Sequence, residues 1–458
     1  MNRSVQRAWA VRAIVQARRA RAYIEKKLTW NRLYRATSYL KSALWTVPLI
    51  AIALVLLSAP VVRILDARLG WRVAGLDMEG ARALYQTVIT LALSFLVFTF
   101  GSLLVAIQVA SGQLTPRIIA TLLLRDNVVR YSVGLFVFTL MFAVGALNRL
   151  DQSVLEIVAL LTGVLGVACI ADFLFLIDYA ARLLRPVSVV AHLGDQALAV
   201  IKSVYPSVGS GIVAAAGPLR EYLGALARLV DHQGRSEIVL AVDLGTLVKM
   251  ARRHEGVIEF VPQIGDFLAV DEPLFALYGG AADIDDGTLR ATVAFGPERT
   301  LEQDPMFAFR ILVDIALKAL SPAINDPTTA VLAIDQVHRL LRSLGKRQLS
   351  GELVSDSSGH PRVIFRTPNW DDFVHIACNE IRACGANNMQ IARRLRAMLE
   401  NLLSSLPPHR QPVLRQELDL LERTIARLYG LPEDLALARI PDVQGLGGSP
   451  APQPAIPP

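Results

Sequence analysis

ALYQTVITLALSFLVFTFGSLLVAIQVASGQLTP, residues 83–116, runs for 34 residues without a charged side chain. A helix rises about 1.5 Å per residue and a bilayer core is about 30 Å thick, so this run is longer than one perpendicular crossing. It reads as a spanning helix over residues 84–110, with Ser111–Pro116 leaving the core. Toward the N-terminus, Ala43–Val62 (ALWTVPLIAIALVLLSAPVV) gives 20 more uncharged residues. Toward the C-terminus, Tyr131–Asn148 gives 18. Val154–Ala180 is a fourth apolar stretch, and it carries Glu156, Asp172 and Asp178. Spans near 43–65, 84–110, 129–148 and 154–180 therefore define a transmembrane domain over 43–185. If the fourth stretch were a buried soluble helix, everything after it would lie on the other side.

The composition agrees with a lipid environment. Of 458 residues, 53% are hydrophobic and 19% are charged, and the mean hydropathy is +0.41. Such a chain is too apolar to be disordered. The net charge of +7 is localised rather than general. Residues 1–42 hold eleven bases and one acid, Glu25, while the rest of the chain holds 36 bases and 39 acids. A basic arm immediately before a span is an orientation signal rather than a nucleic-acid footprint. The arm is too long and too basic for a signal-peptide n-region. Its bases alternate with Trp9, Tyr23, Trp30, Tyr34 and Tyr39, the pattern of an amphipathic helix on anionic lipid. Arg117, Arg125, Arg130, Arg182 and Arg185 would share its side, and Arg63, Arg68, Arg72, Arg82 and Arg149 the opposite one. The bias places both termini in the cytoplasm of a multi-pass membrane chain.

After Arg185 the composition becomes that of a soluble domain. Residues 186–235 read as a helical connector broken by Pro206 and a Gly-Ser stretch at 209–211. Residues 236–296 read as strand-rich, with a helix at 244–253 and a hairpin-type turn at Asp286-Gly287. Residues 297–440 read as helical, with a hairpin at 351–366 and a leucine seam at Leu414, Leu418, Leu421, Ile425 and Leu428. Residues 441–458 form a Pro-rich tail expected to be disordered. The fold class is thus an α-helical membrane protein of four transmembrane helices with a cytoplasmic α+β domain. Cys169, Cys378 and Cys384 form no disulfide framework or CxxC pair, and the scattered histidines make no metal motif, so no metal or cofactor is expected.

Polar chemistry concentrates in GPERTLEQDPMFAFRILVDIALKALSPAINDPTTAVLAIDQ, residues 296–336. Thr300 and Gln303 have capping-box spacing. Asp304-Pro305 and Asp326-Pro327 each put a preferred cap before a first-turn proline. Arg310, Asp314 and Lys318 recur every four residues on one helix face. Two readings stand. Asp304, Arg310, Asp314, Asn325 and Asp326 either form a polar pocket for a cation or small ligand, or serve as caps and ion pairs of a helix–turn–helix. The acidic turn at 283–287 lacks the glycine and glutamate positions of an EF-hand loop. In the membrane, Asp172 is a costly residue that should face a partner, the bundle interior or water. Asp178, Gln86 and Gln108, with Thr99 and Ser102, could line the same interior. Ala159, Gly163 and Gly166 permit close helix contact.

The run ERTLEQDPMFAFRILVDIALKALSPAINDPTTA closely resembles a family of bacterial integral membrane proteins known as a domain of unknown function. Ala110–Arg117 (ASGQLTPR) and GDFLAVDEPL resemble further segments of it, and the likeness covers residues 40–405. Pro305 departs from the family pattern, as does Asp178-Tyr179, where the family tends to have histidines. The resemblance implies four spans and a cytoplasmic domain, and implies no activity. Two functions remain open. One is an oligomeric channel or transporter-like protein with a cytoplasmic regulatory domain. The other is a non-transporting membrane-anchored sensor or scaffold whose cytoplasmic domain binds a small ligand or ion. An enzyme has the least support, because no nucleophile stands with a base. The partners expected are the bilayer, anionic lipid at the arm and further copies of the chain, not nucleic acid.

Overall fold

The computed structural model describes residues 29–43, 45–69, 77–113, 126–150, 156–183, 185–205, 225–349 and 353–448. Most of the basic arm, residues 114–117 of ASGQLTPR, the Gly-Ser stretch and the last ten tail residues lie outside the described residues. The chain divides into two compact units, one of residues 40–193 with 314–333 and one of residues 1–39, 194–313 and 334–458.

The first unit contains α2 (Thr46–Leu69), α3 (Met78–Gln113), α4 (Asn127–Leu147) and α5 (Glu156–Leu183), preceded in the chain by α1 (Trp30–Ser42). Helix α4 is central, with α2, α3 and α5 packed against it. Phe136 and Ala143 of α4 are fully buried. Phe95 of α3 stacks on Phe173 of α5 at 4.1 Å between ring centres. Two glycines set close helix approaches: a Cβ at Gly134 would fall 2.5 Å from Val47 Cγ1, and one at Gly166 would fall 2.9 Å from Val88 Cγ2. Small residues at such crossings are the usual packing device in lipid. Gly163 faces open space instead.

Four helices among the described residues are long and apolar enough to cross a membrane: Met78–Val109, Asn127–Leu147, Glu156–Arg182 and Pro186–Val204. The last, α6 (Pro186–Val204), differs from the others in pattern. Val190, Leu193, Ala197 and Ile201 form one fully buried stripe, while His192, Asp195 and Lys202 are exposed. That is the pattern of a helix covering a protein core. Helix α2 is described as apolar over Thr46–Ser58, which is shorter than those four.

The second unit is α+β. Strands β1 (Leu226–Asp231), β2 (Glu237–Val242), β3 (Gly256–Phe260), β4 (Phe267–Leu268), β5 (Pro273–Gly279), β6 (Val293–Gly296), β7 (Leu353–Ser355) and β8 (Pro361–Phe365) form two sheets, ordered β1-β5-β3-β8-β7 and β4-β2-β6. All pairings are antiparallel except β3 with β8. Helix α7 (Leu244–Arg253) joins β2 to β3, and Leu247, Phe260, Phe275, Val293 and Val363 fill the core with little or no exposure.

Three local expectations change. Residues 226–231, read as helical, form a strand paired with β5. Asp286-Gly287 is not a hairpin turn: Asp285 caps a short helix α8 (Asp286–Arg290), and Asp286 is held by Arg228 and Arg290. A single carboxylate near two arginines favours this helical turn over a solvated loop. Thr300 and Gln303 form no capping box, because Gln303 Oε1 accepts the Val242 N–H at 3.2 Å, across to β2.

Helices α9 (Pro305–Ala319), α10 (Pro327–Gly345), α11 (Trp370–Gly385), α12 (Met389–Ser405), α13 (Gln411–Leu428) and α14 (Pro432–Ala438) complete the chain. Of the leucine seam, Leu414, Leu421 and Ile425 are fully buried. Residues 441–448 are ordered by Asp442, whose carboxylate accepts the N–H groups of Gln444, Gly445 and Gly447.

Candidate functional site

Asp304 is positioned by its own sequence context. Pro305 opens α9, where no backbone donor is needed, and Asp304 Oδ1 accepts the Phe307 N–H at 2.9 Å. The other oxygen is treated differently. Oδ2 is buried and accepts no hydrogen bond, and the nearest cation, Arg299 Nη1, is 3.9 Å away. The loop at Gly265 closes over it with φ of +93°, so that a Cβ there would lie 2.7 Å from Oδ2. Burial pushes the Asp304 carboxyl up to about 6, although the backbone donors of Phe307 and Met306 and the Arg299 charge oppose that rise.

Asp304 lines a cavity of about 290 Å³ within the α+β unit. Val242, Leu244, Ile264 and Phe365 give it an apolar wall. Tyr205, Gln303, Arg366 and Thr367 supply the polar remainder. Tyr205 follows α6 and is fully buried. Arg347 Nη1 donates to its carbonyl at 2.7 Å, and its ring meets Phe373 edge-on at 6.1 Å. Arg366 is half-exposed and donates to Glu259 Oε1 at 3.1 Å, while Tyr278 donates to the other oxygen at 2.8 Å. An apolar chamber with one under-bonded carboxylate and one cation suits a small amphipathic molecule with a donor or cationic group.

The other four candidates of this segment lie elsewhere. Arg310 grips Glu380 with both terminal nitrogens, at 2.6 and 2.8 Å. Asp314, Asn325 and Asp326 belong to the first unit. Asp326 caps α10, accepting the Thr329 N–H at 3.1 Å and its hydroxyl. Asn325 sits at φ +48° in the joint between α9 and α10, a left-handed position that asparagine tolerates. Lys318 Nζ donates to the Ser111 carbonyl at 3.4 Å, joining two segments that carry the family resemblance.

In the helical unit, Ser132 donates to Asp172 Oδ1 at 3.2 Å, and the buried Oδ2 has no hydrogen bond. Cys169 Sγ donates to Thr139 at 3.2 Å nearby on the same two helices. Asp178 is exposed and paired with Arg182. Gln86 and Gln108 are exposed on the outside of α3 rather than gathered around Asp172. A cavity of about 90 Å³ between α3 and α5 is lined by Thr99 and Ser102 among apolar groups. Both hydroxyls donate to carbonyls of their own helix at 2.7 Å, which leaves that cavity without a free donor from them. Among the described residues, no three His, Cys, Asp or Glu side chains gather as a metal site.

The sequence reading missed Tyr205 and Arg366, because no spacing connects them to Asp304. The one available signal was GDFLAVDEPL, a segment of the family resemblance, whose Gly265 packs over Asp304.

Residues 41–401 match a family described as "Predicted membrane protein (DUF2254)". The chain is also similar to uncharacterized proteins of Mycobacterium bovis and Mycobacterium tuberculosis, each 25% identical over 449 residues, covering 93% of this chain and 85% of the relative. No solved structure matches the chain.

Proposed function

The chain belongs to this family of predicted membrane proteins, and on that premise we propose that it is a membrane-anchored sensor whose α+β domain binds a small amphipathic ligand beside Asp304. The observation that carries this reading is a carboxylate oxygen left without a hydrogen bond in the wall of a 290 Å³ cavity. An unsatisfied buried acceptor costs about 1–3 kcal/mol, and a ligand donor would recover it. The test is thermal shift of the full chain in nanodiscs against a panel of small amphipathic amines and amides. A ligand at about 100 times its Kd adds about 2.7 kcal/mol, which is a shift of several degrees. The stabiliser should lose its effect in Asp304→Asn and Arg366→Ala. A panel without a stabiliser, or one whose stabilisers ignore both variants, overturns the reading.

The membrane arrangement belongs to the same proposal. Helices α2, α3, α4 and α5 are its four spans, the termini are cytoplasmic in the inner membrane, the basic arm contacts anionic lipid, and the chain assembles with its own copies. The excess of bases before α2 supports this orientation. Reporter fusions after residues 70, 120, 150 and 190 test it, and alternating sides are expected.

A second reading, an ion pathway, is favoured by Asp172 alone. Its Oδ2 is buried among helices without a hydrogen bond, and intramembrane acids commonly handle ions or protons. Flux through proteoliposomes that Asp172→Asn alters would support it, and tight vesicles would remove it.

A further inference from the structure

Helix α1 docks by one side and leaves an apolar stripe uncovered on the other. Its polar side meets the α+β unit. The Asn31 N–H donates to the Ala291 carbonyl at 3.3 Å. Arg35 pairs with Glu237 at 3.5 Å. Ser38 donates to Glu302 at 3.1 Å. Asn31, Arg35 and Ser38 recur at helical spacing, so the docked side is one continuous face. The opposite face holds Leu33, Ala36, Thr37 and Leu40, spaced i, i+3, i+4, i+7. All four are exposed, with Leu33 at 52% and Leu40 at 47%. The Thr37 hydroxyl shares its proton between the Leu33 and Tyr34 carbonyls of its own helix, both at 2.9 Å, so its polar group is spent within the helix. A helix packed on a soluble domain ordinarily buries its leucines, whereas here Leu33 and Leu40 stay exposed and the contacts with the domain come from Asn31, Ser38 and the half-exposed Arg35.

We propose that α1 is an interfacial helix whose Leu33–Ala36–Thr37–Leu40 stripe lies in the acyl boundary of the bilayer while its polar face holds the α+β domain. The occupant of the stripe is lipid for three reasons. The helix ends at Ser42 and the apolar helix α2 begins at Thr46, so the stripe's last residue, Leu40, precedes the apolar helix by less than two turns. Tyr39 and Trp45, both exposed, bracket that junction as aromatic residues do at membrane interfaces. The eleven bases of residues 1–42 add attraction for a lipid surface. This inference rests on the lipid contact of the arm proposed above and deepens it, by assigning one face to lipid and the other to protein.

The test places single cysteines at Leu33, Ala36 and Leu40, and at Ser358 as a solvent control, in a Cys384→Ser background. Cys169 and Cys378 are buried and stay unlabelled. Each labelled full-length protein is put into nanodiscs of phosphatidylcholine alone or with phosphatidylglycerol. A fluorophore at the stripe should be quenched by nitroxide-bearing lipid at least about threefold more than one at Ser358, and correspondingly less by iodide. Quenching in phosphatidylcholine alone establishes the stripe whether or not anionic lipid strengthens it, so failure of the anionic-lipid reading is told apart from failure of this one. Stripe positions open to iodide overturn the proposal. Positions shielded from both quenchers overturn it too, because protein would then cover the face.

Discussion

Asp304 Oδ2 and Arg299 Nη1 stand 3.9 Å apart, beyond hydrogen-bond reach, in a site where Asp304 is 4% exposed. The arginine is near enough to temper the cost of the buried charge and too far to satisfy it. Burial therefore pushes the carboxyl up to about 6 in the folded protein from its ordinary 3.8, with Arg299 opposing the rise only in part. A raised carboxyl pKa means that the folded state holds the proton more tightly than the unfolded one. The associated stability is fully present below pH 4 and is lost as pH rises through 6. Asp304→Asn keeps an Oδ1 to cap α9 and removes the ionisation. The variant should be more stable than the parent at pH 8, by on the order of 2–3 kcal/mol, with the gain disappearing by pH 4. Thermal unfolding across that range measures it, and a pH-independent difference would refute the assignment.

Gly265 carries the second prediction. Its φ of +93° is costly for any residue with a Cβ, and a Cβ would press on Asp304 Oδ2 at 2.7 Å and Arg299 Cζ at 3.2 Å. Gly265→Ala should therefore destabilise by about 1–3 kcal/mol and also disturb the Asp304 titration. A variant that lost stability while keeping the parental pH profile would mean that the loop and the carboxylate are independent.

These two residues also show what the sequence could reveal. The apolar runs of α3 and α4 announced themselves, because lipid demands unbroken lengths without charge. The caps Asp304-Pro305 and Asp326-Pro327 were legible because capping is local chemistry. Leu226–Asp231 was not, since its strand identity comes from β5, some 45 residues later. Gln303 was misassigned for the same reason: its partner, the Val242 N–H, lies 61 positions away. The cavity joins Tyr205, Asp304 and Arg366, a set that only tertiary folding assembles. Helix α6 satisfied the length of a span, and its exposed His192, Asp195 and Lys202 set it apart from the spans, since α4 carries a buried stripe too.

Arg393, at 1% exposure, fastens the segment after α14. Its Nε donates to the Ile440 carbonyl at 3.0 Å and its Nη1 to the Gly447 carbonyl at 3.3 Å, and its own carbonyl accepts the Asp442 N–H at 3.1 Å. Hydrogen bonds from a charged group are worth about 1.5–3 kcal/mol each. Arg393→Met should free residues 440–448 and speed tryptic cleavage after Arg439 by at least about tenfold. Arg393→Lys should not restore protection, because one ammonium lacks the fork that reaches two carbonyls. Unchanged cleavage in the methionine variant would show that the Asp442 turn alone holds the segment.

Glu417 is 1% exposed and sits on α13, with Arg382 Nε of α11 at 3.6 Å. Burial raises the Glu417 carboxyl above its ordinary value, and Arg382 opposes the rise. Arg382→Met would strand that charge, at a cost of about 3–5 kcal/mol near neutral pH. With the arginine gone the folded-state pKa climbs further. The variant's stability should then be recovered below the unfolded carboxyl pKa and lost as pH rises through the folded one. Adding Glu417→Gln removes the stranded charge, so the double variant should be more stable than Arg382→Met alone at pH 7. Thermal unfolding of the parent and both variants at pH 4 and 8 decides the point. Equal penalties for the single and double variants would mean that Arg382 acts through Thr424 and Asn379, to which its Nη1 and Nη2 each donate at 3.4 Å, rather than through Glu417.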